Sequence, residues 1–238
     1  MHPDTMRLID RWVGIPLCFF ASFWPLKKAQ ADSNSTLATN IPPPDTIVFI
    51  LIAEIGALVV AYPAIKETRK QHPKSRICFI TAPAGLQTLE LMGFEKEDIF
   101  LLETSSIKSL LKGIVNIRSH FKGKRVSAIV LEPFTRFSTL LSAWIGASKR
   151  IGCYRFLNEG VYLGNILTHR LVYNPHLHMS QTYFALAKAL IEPDSAKPLL
   201  KEYIPSQIKN RLKINIPEKE QPTLMKRLQS ECPENHLK

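Results

Sequence analysis

Hydrophobic positions change period along the chain in a repeating order. Between Thr46 and Cys153, short continuous apolar runs alternate with segments that carry apolar residues at helical spacing. The run Ile47 to Ile52 has no polar alternation and is rich in β-branched residues, as expected of a strand covered on both faces within a parallel sheet. It leads through Glu54-Ile55-Gly56-Ala57 into helical spacing from about Leu58 to Gln71, with Pro73 just beyond. The pattern predicts further strands over Arg76 to Thr81, Asp98 to Glu103, Arg125 to Leu131 and Arg150 to Cys153. Helices are predicted over Gly85 to Met92, Ile107 to Phe121, Ser138 to Ile145 and Ser180 to Ile191. Strands and helices alternating at these lengths predict an α/β fold, a doubly wound parallel sheet of Rossmann-like type. No pattern of fixed period repeats along the chain.

The flanks read differently. Trp12 to Leu26 is uncharged, shorter than the ~20 residues of a membrane span. Its first reading is a helix in the membrane interface, with Trp12, Phe19, Phe20 and Trp24 towards lipid and Lys27 and Lys28 at headgroup level. A signal peptide is the second reading, since Ala29-Gln30-Ala31 resembles a cleavage site, and a helix docked on the domain is the third. Residues 29–45, with Pro42-Pro43-Pro44, read as a linker, semi-rigid at its proline end. Residues 193–238 are charged and proline-spaced, with no second set of buried strands. The expected organisation is therefore an interfacial segment over 1–28, a linker over 29–45, an α/β domain over 46–192 and a charged tail.

At 238 residues, 45% of them hydrophobic, the chain has material for one good core. Its formal charge of +11 points to anionic partners. Lys108, Lys112, Arg118, Lys122, Lys124 and Arg125 occur with no acid between Glu103 and Glu132, and Arg136, Lys149, Arg150 and Arg155 extend the basic region. Two readings stand, a solvated helix face and an anion-facing surface. No nucleic-acid-binding motif accompanies the charge. Cys18, Cys78, Cys153 and Cys232 lack zinc-site spacing and read as reduced structural thiols, as in a cytoplasmic protein. A Gly-x-Ser-x-Gly elbow and a Gly-x-x-x-x-Gly-Lys loop are both missing, which argues against hydrolase and P-loop chemistry.

Candidate chemistry gathers at predicted strand ends, because open parallel sheets bind ligands beyond their carboxyl ends. Glu54 and Gly56 follow the first strand. Glu132, Arg136 and Ser138 follow the fourth, where a carboxylate and a guanidinium suit sugar hydroxyls and phosphate. The alternative for these three is a helix-capping cluster, and for Glu54 an exposed or capping glutamate. His176 and His178 stand two apart without further metal ligands nearby and read as loop or packing residues. His169 and Arg170 form a weaker anion-contact candidate.

The strand Ile47 to Ile52 followed by Gly56-Ala-Leu-Val-Val-Ala-Tyr-Pro-Ala-Ile65, then Lys74-Ser-Arg-Ile-Cys-Phe-Ile80, Glu132-Pro-Phe-Thr-Arg-Phe-Ser138, Gly146-Ala-Ser-Lys-Arg-Ile-Gly152 and the His176 to Tyr183 region, taken in order, resemble glycosyltransferase family 9. This is the lipopolysaccharide heptosyltransferase family, and the likeness covers about residues 46–192. The amino-terminal segment, with Arg11-Trp12 and Ile15-Pro-Leu-Cys18, also looks like a subset of bacterial members. The resemblance implies the amino-terminal, acceptor-side half of a two-domain GT-B enzyme, peripheral to the inner membrane. It further implies inverting transfer from a nucleotide-sugar donor to a cell-envelope glycan, with no metal and no other cofactor. Partners would be an anionic membrane surface or a phosphorylated glycolipid acceptor, with no nucleic acid.

The chain departs from the family in two ways. The family has Gly-Asp at the first turn, its Asp the presumed base, where this chain has Gly56-Ala57. Glu54 is the one carboxylate near that strand end that can stand in as base. The family's donor domain is also missing, so the tail reads as the truncated start of one and a partner supplying it is an open expectation. The alternative function is a non-catalytic remnant or membrane-peripheral binding module.

Overall fold

The computed structural model describes residues 12–23, 43–52, 54–155 and 161–192, with the isolated positions Pro222 and Lys226. Trp24, Lys27, Lys28, most of the linker and nearly all of the tail lie outside the described residues. The strands are β1 (Thr46–Ile50), β2 (Arg76–Thr81), β3 (Ile99–Leu101), β4 (Val126–Val130), β5 (Lys149–Arg155) and β6 (His169–Val172). The helices are α1 (Gly14–Phe23), α2 (Ile55–Gln71), α3 (Leu86–Leu91), α4 (Ile107–Phe121), α5 (Arg136–Trp144) and α6 (Met179–Lys188).

All six strands run parallel in the order β3-β2-β1-β4-β5-β6. The continuous apolar run makes β1 central, because each face of a parallel sheet is covered by helices. Ile47 and Phe49 point into one core with residues of α2, α3 and α6, while Val48 and Ile50 point into the other with residues of α4 and α5. Chain order reverses between β1 and β4, the position where open parallel sheets place their ligands.

Several elements differ from their sequence-based bounds. Helix α2 begins at Ile55, three residues earlier than the apolar spacing predicts, and α5 begins at Arg136. Strand β6 is not predicted at all: it has four residues, carries His169 and Arg170, and alternates buried with half-buried positions at the sheet edge. Helix α4 has its predicted bounds, fixed by a reciprocal cap in which Ser109 N–H donates to Ser106 Oγ (3.1 Å) and Ser106 N–H donates to Ser109 Oγ (3.3 Å).

Helix α1 packs on α5, with Gly14 and Cys18 buried and Ser22 on the same face. Asn165 N–H donates to Ser22 Oγ (3.0 Å), which donates to the Cys18 carbonyl (2.7 Å). The docked face is thus made of small residues, and Trp12, Phe19, Phe20 and Phe23 remain exposed. No helix among the described residues is long and apolar enough to cross a membrane.

Candidate functional site

The carboxyl ends of β1 and β4 are tied together before the helices begin. Leu131 N–H donates to the Ile50 carbonyl (3.0 Å), and Ile52 N–H donates to Glu132 Oε1 (2.8 Å). Glu132 is nearly buried, and its Oε2 accepts the hydroxyl of the fully buried Ser138. Glu132 and Ser138 therefore form a brace between the exit of β1 and the first turn of α5. Arg136, half-buried beside them, donates its Nε to the Tyr162 carbonyl (3.1 Å). Between β4 and α5, Phe134 takes a left-handed backbone (φ 61°), and its ring meets Tyr173 edge-on at 5.3 Å.

On the other side of the switch point, the amino-terminal parts of α2 and α6 border an open, shallow cleft of about 560 Å³ lined by Glu54, Gly56, Ala57, Val60, Met179 and Tyr183. Glu54 occupies the N-cap position of α2 with extended backbone, and its side chain makes no capping bond. Its carboxylate is exposed at the cleft. A Cβ added at Gly56 would meet nothing within 4 Å, so the space over the start of α2 is open. The free backbone N–H groups of that first turn favour an oxygen-rich ligand. The cleft brings Glu54 and Gly56 together, while Glu132, Arg136 and Ser138 are not among its lining residues.

Tyr183 is almost wholly buried beneath the cleft. Burial pushes its phenol well above the ordinary range, and the charges of Glu54, then Cys153, Glu132 and Tyr173, push the same way. It therefore holds its proton, within the electrostatic reach of the Glu54 and Glu132 carboxylates. In the sequence, Tyr183, Leu186, Ala187 and Leu190 form one apolar helical face, which reads as core. Only the fold shows that the start of this face reaches the cleft.

The remaining candidates are committed to structure. His178 caps α6, its Nδ1 accepting Ser180 N–H (3.2 Å). His169 is fully buried, between Thr168 Oγ1 (2.8 Å) and the Glu192 carbonyl (3.0 Å). No metal-binding cluster of His, Cys, Asp or Glu occurs among the described residues. The basic stretch divides three ways. Arg125 pairs with Asp45, Lys149 and Arg150 are buried against backbone carbonyls, and Lys108 and Lys112 are exposed on α4, with Lys122 exposed just beyond its end.

No protein-family model matches the chain, and no curated protein matches it. Solved structures share its fold. A glycosyl transferase family 9 protein from Veillonella parvula aligns over 79% of this chain with a TM-score of 0.52 and 16% identity. The E. coli ADP-heptose lps heptosyltransferase II aligns over 77%, with a TM-score of 0.51 and 17% identity. The chain spans about half the length of each, 50% in both alignments. It thus has a glycosyltransferase-like α/β fold.

Proposed function

We propose that the chain is the acceptor-side half of a glycosyltransferase of the heptosyltransferase type, acting on a cell-envelope glycan at the cytoplasmic face of the inner membrane. The observation that carries this reading is the cleft at the start of α2, which the exposed Glu54 and the protonated Tyr183 both line. Glu54 takes the proton from an acceptor hydroxyl, whose oxygen then attacks the anomeric carbon of a nucleotide-sugar as the bond to the diphosphate breaks. Tyr183 helps to hold the acceptor, and the first-turn N–H groups of α2 receive its oxygens. Groups outside the described residues would meet the diphosphate.

The test measures both binding and transfer on the full chain, with a nucleotide-diphosphate heptose as donor and a deacylated lipopolysaccharide core as acceptor. The expected result is acceptor binding that survives Glu54→Gln and nucleotide release that does not. Unchanged turnover in Glu54→Gln would remove Glu54 from the mechanism.

Ala57 supports a second reading, a binding module that takes the acceptor and transfers nothing, because an alanine stands where the resembled family has its aspartate. Acceptor binding without any donor binding, in a titration with nucleotide sugars, would favour it.

A further inference from the structure

The exposed hydrophobic side chains lie mostly on one of the two helical layers. On the layer of α2, α3 and α6 they occur singly, as at Val59 and Leu91. On the other layer, α5 contacts both α1 and α4. Helix α1 packs on it, and Arg118 of α4 stacks over the ring of Trp144 at 4.7 Å and donates to the Trp144 carbonyl (2.5 Å). Outward from α1 stand Phe20 (68% exposed) and Phe23 (74%), and Trp12 just before the helix is exposed as well. Helix α4 leaves Ile107 (59%), Leu111 (57%) and Val115 (57%) exposed at successive four-residue steps, which is one stripe of its surface. Lys108, Lys112 and Lys122 flank that stripe.

The helices of this layer carry basic residues and no acid. α1, α4, α5 and residues 161–168 contain no Asp or Glu. A second copy of the chain is a poor occupant, because a two-fold interface sets this patch against itself and its helices offer the lysines no acid. An anionic lipid surface meets both demands at once: headgroups neutralise the lysines while the acyl boundary receives the apolar side chains.

We propose that α4, through Ile107, Leu111, Val115 and the adjoining Lys108 and Lys112, is a second lipid contact alongside α1, so that this helical layer lies flat on an anionic bilayer. This extends the membrane-peripheral reading above. The test uses no sugar donor or acceptor, so its failure is separate from failure of the transfer reading.

The experiment is co-sedimentation of the full chain with phosphatidylcholine vesicles, with and without phosphatidylglycerol. The wild type should partition preferentially to the anionic vesicles and be released by salt. The triple variant I107S/L111S/V115S and the double variant K108Q/K112Q should each lower partitioning by roughly tenfold or more. L91S, which removes an exposed leucine from the opposite layer, should bind as the wild type does. Circular dichroism of each variant checks that the fold is retained, which the exposure of all these positions favours. The proposal is overturned by unchanged binding of folded α4 variants, by equal binding to neutral and anionic vesicles, or by a dimer in solution that the α4 variants dissociate.

Discussion

Glu132 Oε1 accepts the backbone N–H of Ile52 at 2.8 Å across 80 residues of chain, and the same carboxylate holds the buried hydroxyl of Ser138. The bond sits at the reversal of strand order, where the ends of β1 and β4 would otherwise part. It gives Glu132 a role in the architecture of the cleft, since the turn that carries Glu54 begins two residues after Ile52.

Removing that carboxylate leaves the half-buried Ile52 N–H and the buried Ser138 hydroxyl without their acceptor. Glu132→Ala is expected to cost about 2–4 kcal/mol, because each orphaned donor retains its desolvation penalty. Glu132→Gln keeps a carbonyl oxygen for Ile52 N–H and is expected to lose about 1 kcal/mol. Urea unfolding followed by circular dichroism measures both; equal midpoints for Glu132→Ala and the wild type would show that the brace contributes nothing to stability.

The thiols offer a chemical test of burial. Desolvation raises Cys78 from 9.0 to about 12, helped by the Asp98 carboxylate, and desolvation alone raises Cys153 from 9.0 to about 12. Cys18 is also fully buried. At neutral pH, iodoacetamide is expected to leave these three unmodified in the native chain and to alkylate all of them in denaturant, as read by peptide mass mapping. The sign of the pH effect follows from the raised values. The native state keeps protons that the unfolded chain releases above about pH 9, so stability contributed by Cys78 and Cys153 is complete below that pH and declines towards about pH 12.

How legible these features are in the sequence depends on how local their causes are. Strand β2 and helix α4 follow from neighbouring residues: the apolar run Ile77 to Ile80, and the stripe Leu110, Ile114, Ile117, Phe121 with a serine cap. Strand β6 escapes because His169 and Arg170 break the apolar signal. The partners of Glu132 come from the parallel register of β1 with β4, which places Ile50 opposite Val130. The Ser22–Asn165 contact joins residues 143 positions apart. Tyr183 is visible as an apolar-face residue, but its approach to Glu54 depends on α6 packing against α2.

Phe134 holds a left-handed backbone at φ 61°, a conformation that costs a non-glycine residue about 1–2 kcal/mol. The edge-on contact with Tyr173 offsets part of that cost. A β-branched residue loses the ring and increases the crowding. Phe134→Val is therefore expected to unfold at lower denaturant than Phe134→Gly, the reverse of the order expected in a strand, and chemical denaturation of the pair decides it.

Gly164 lies where the loop before β6 meets α1, at φ 60°. A Cβ there would stand 2.1 Å from Ser22 Oγ and 2.7 Å from the Cys18 carbonyl. The serine side chain can rotate away, but the Cys18 carbonyl is helix backbone and moves only if α1 moves. Gly164→Ala is thus expected to displace α1 while the sheet, whose strands pair independently of that helix, keeps its circular dichroism. Chymotrypsin cleavage after Phe19, Phe20 or Phe23 should accelerate by roughly tenfold or more, corresponding to about 1.4 kcal/mol of lost docking energy. Ser22→Ala removes the acceptor of Asn165 N–H without a clash, and its cleavage rate should fall between those of Gly164→Ala and the wild type. A Gly164→Ala chain cleaved at the wild-type rate would show that the small-residue face of α1 does not hold the helix to the domain.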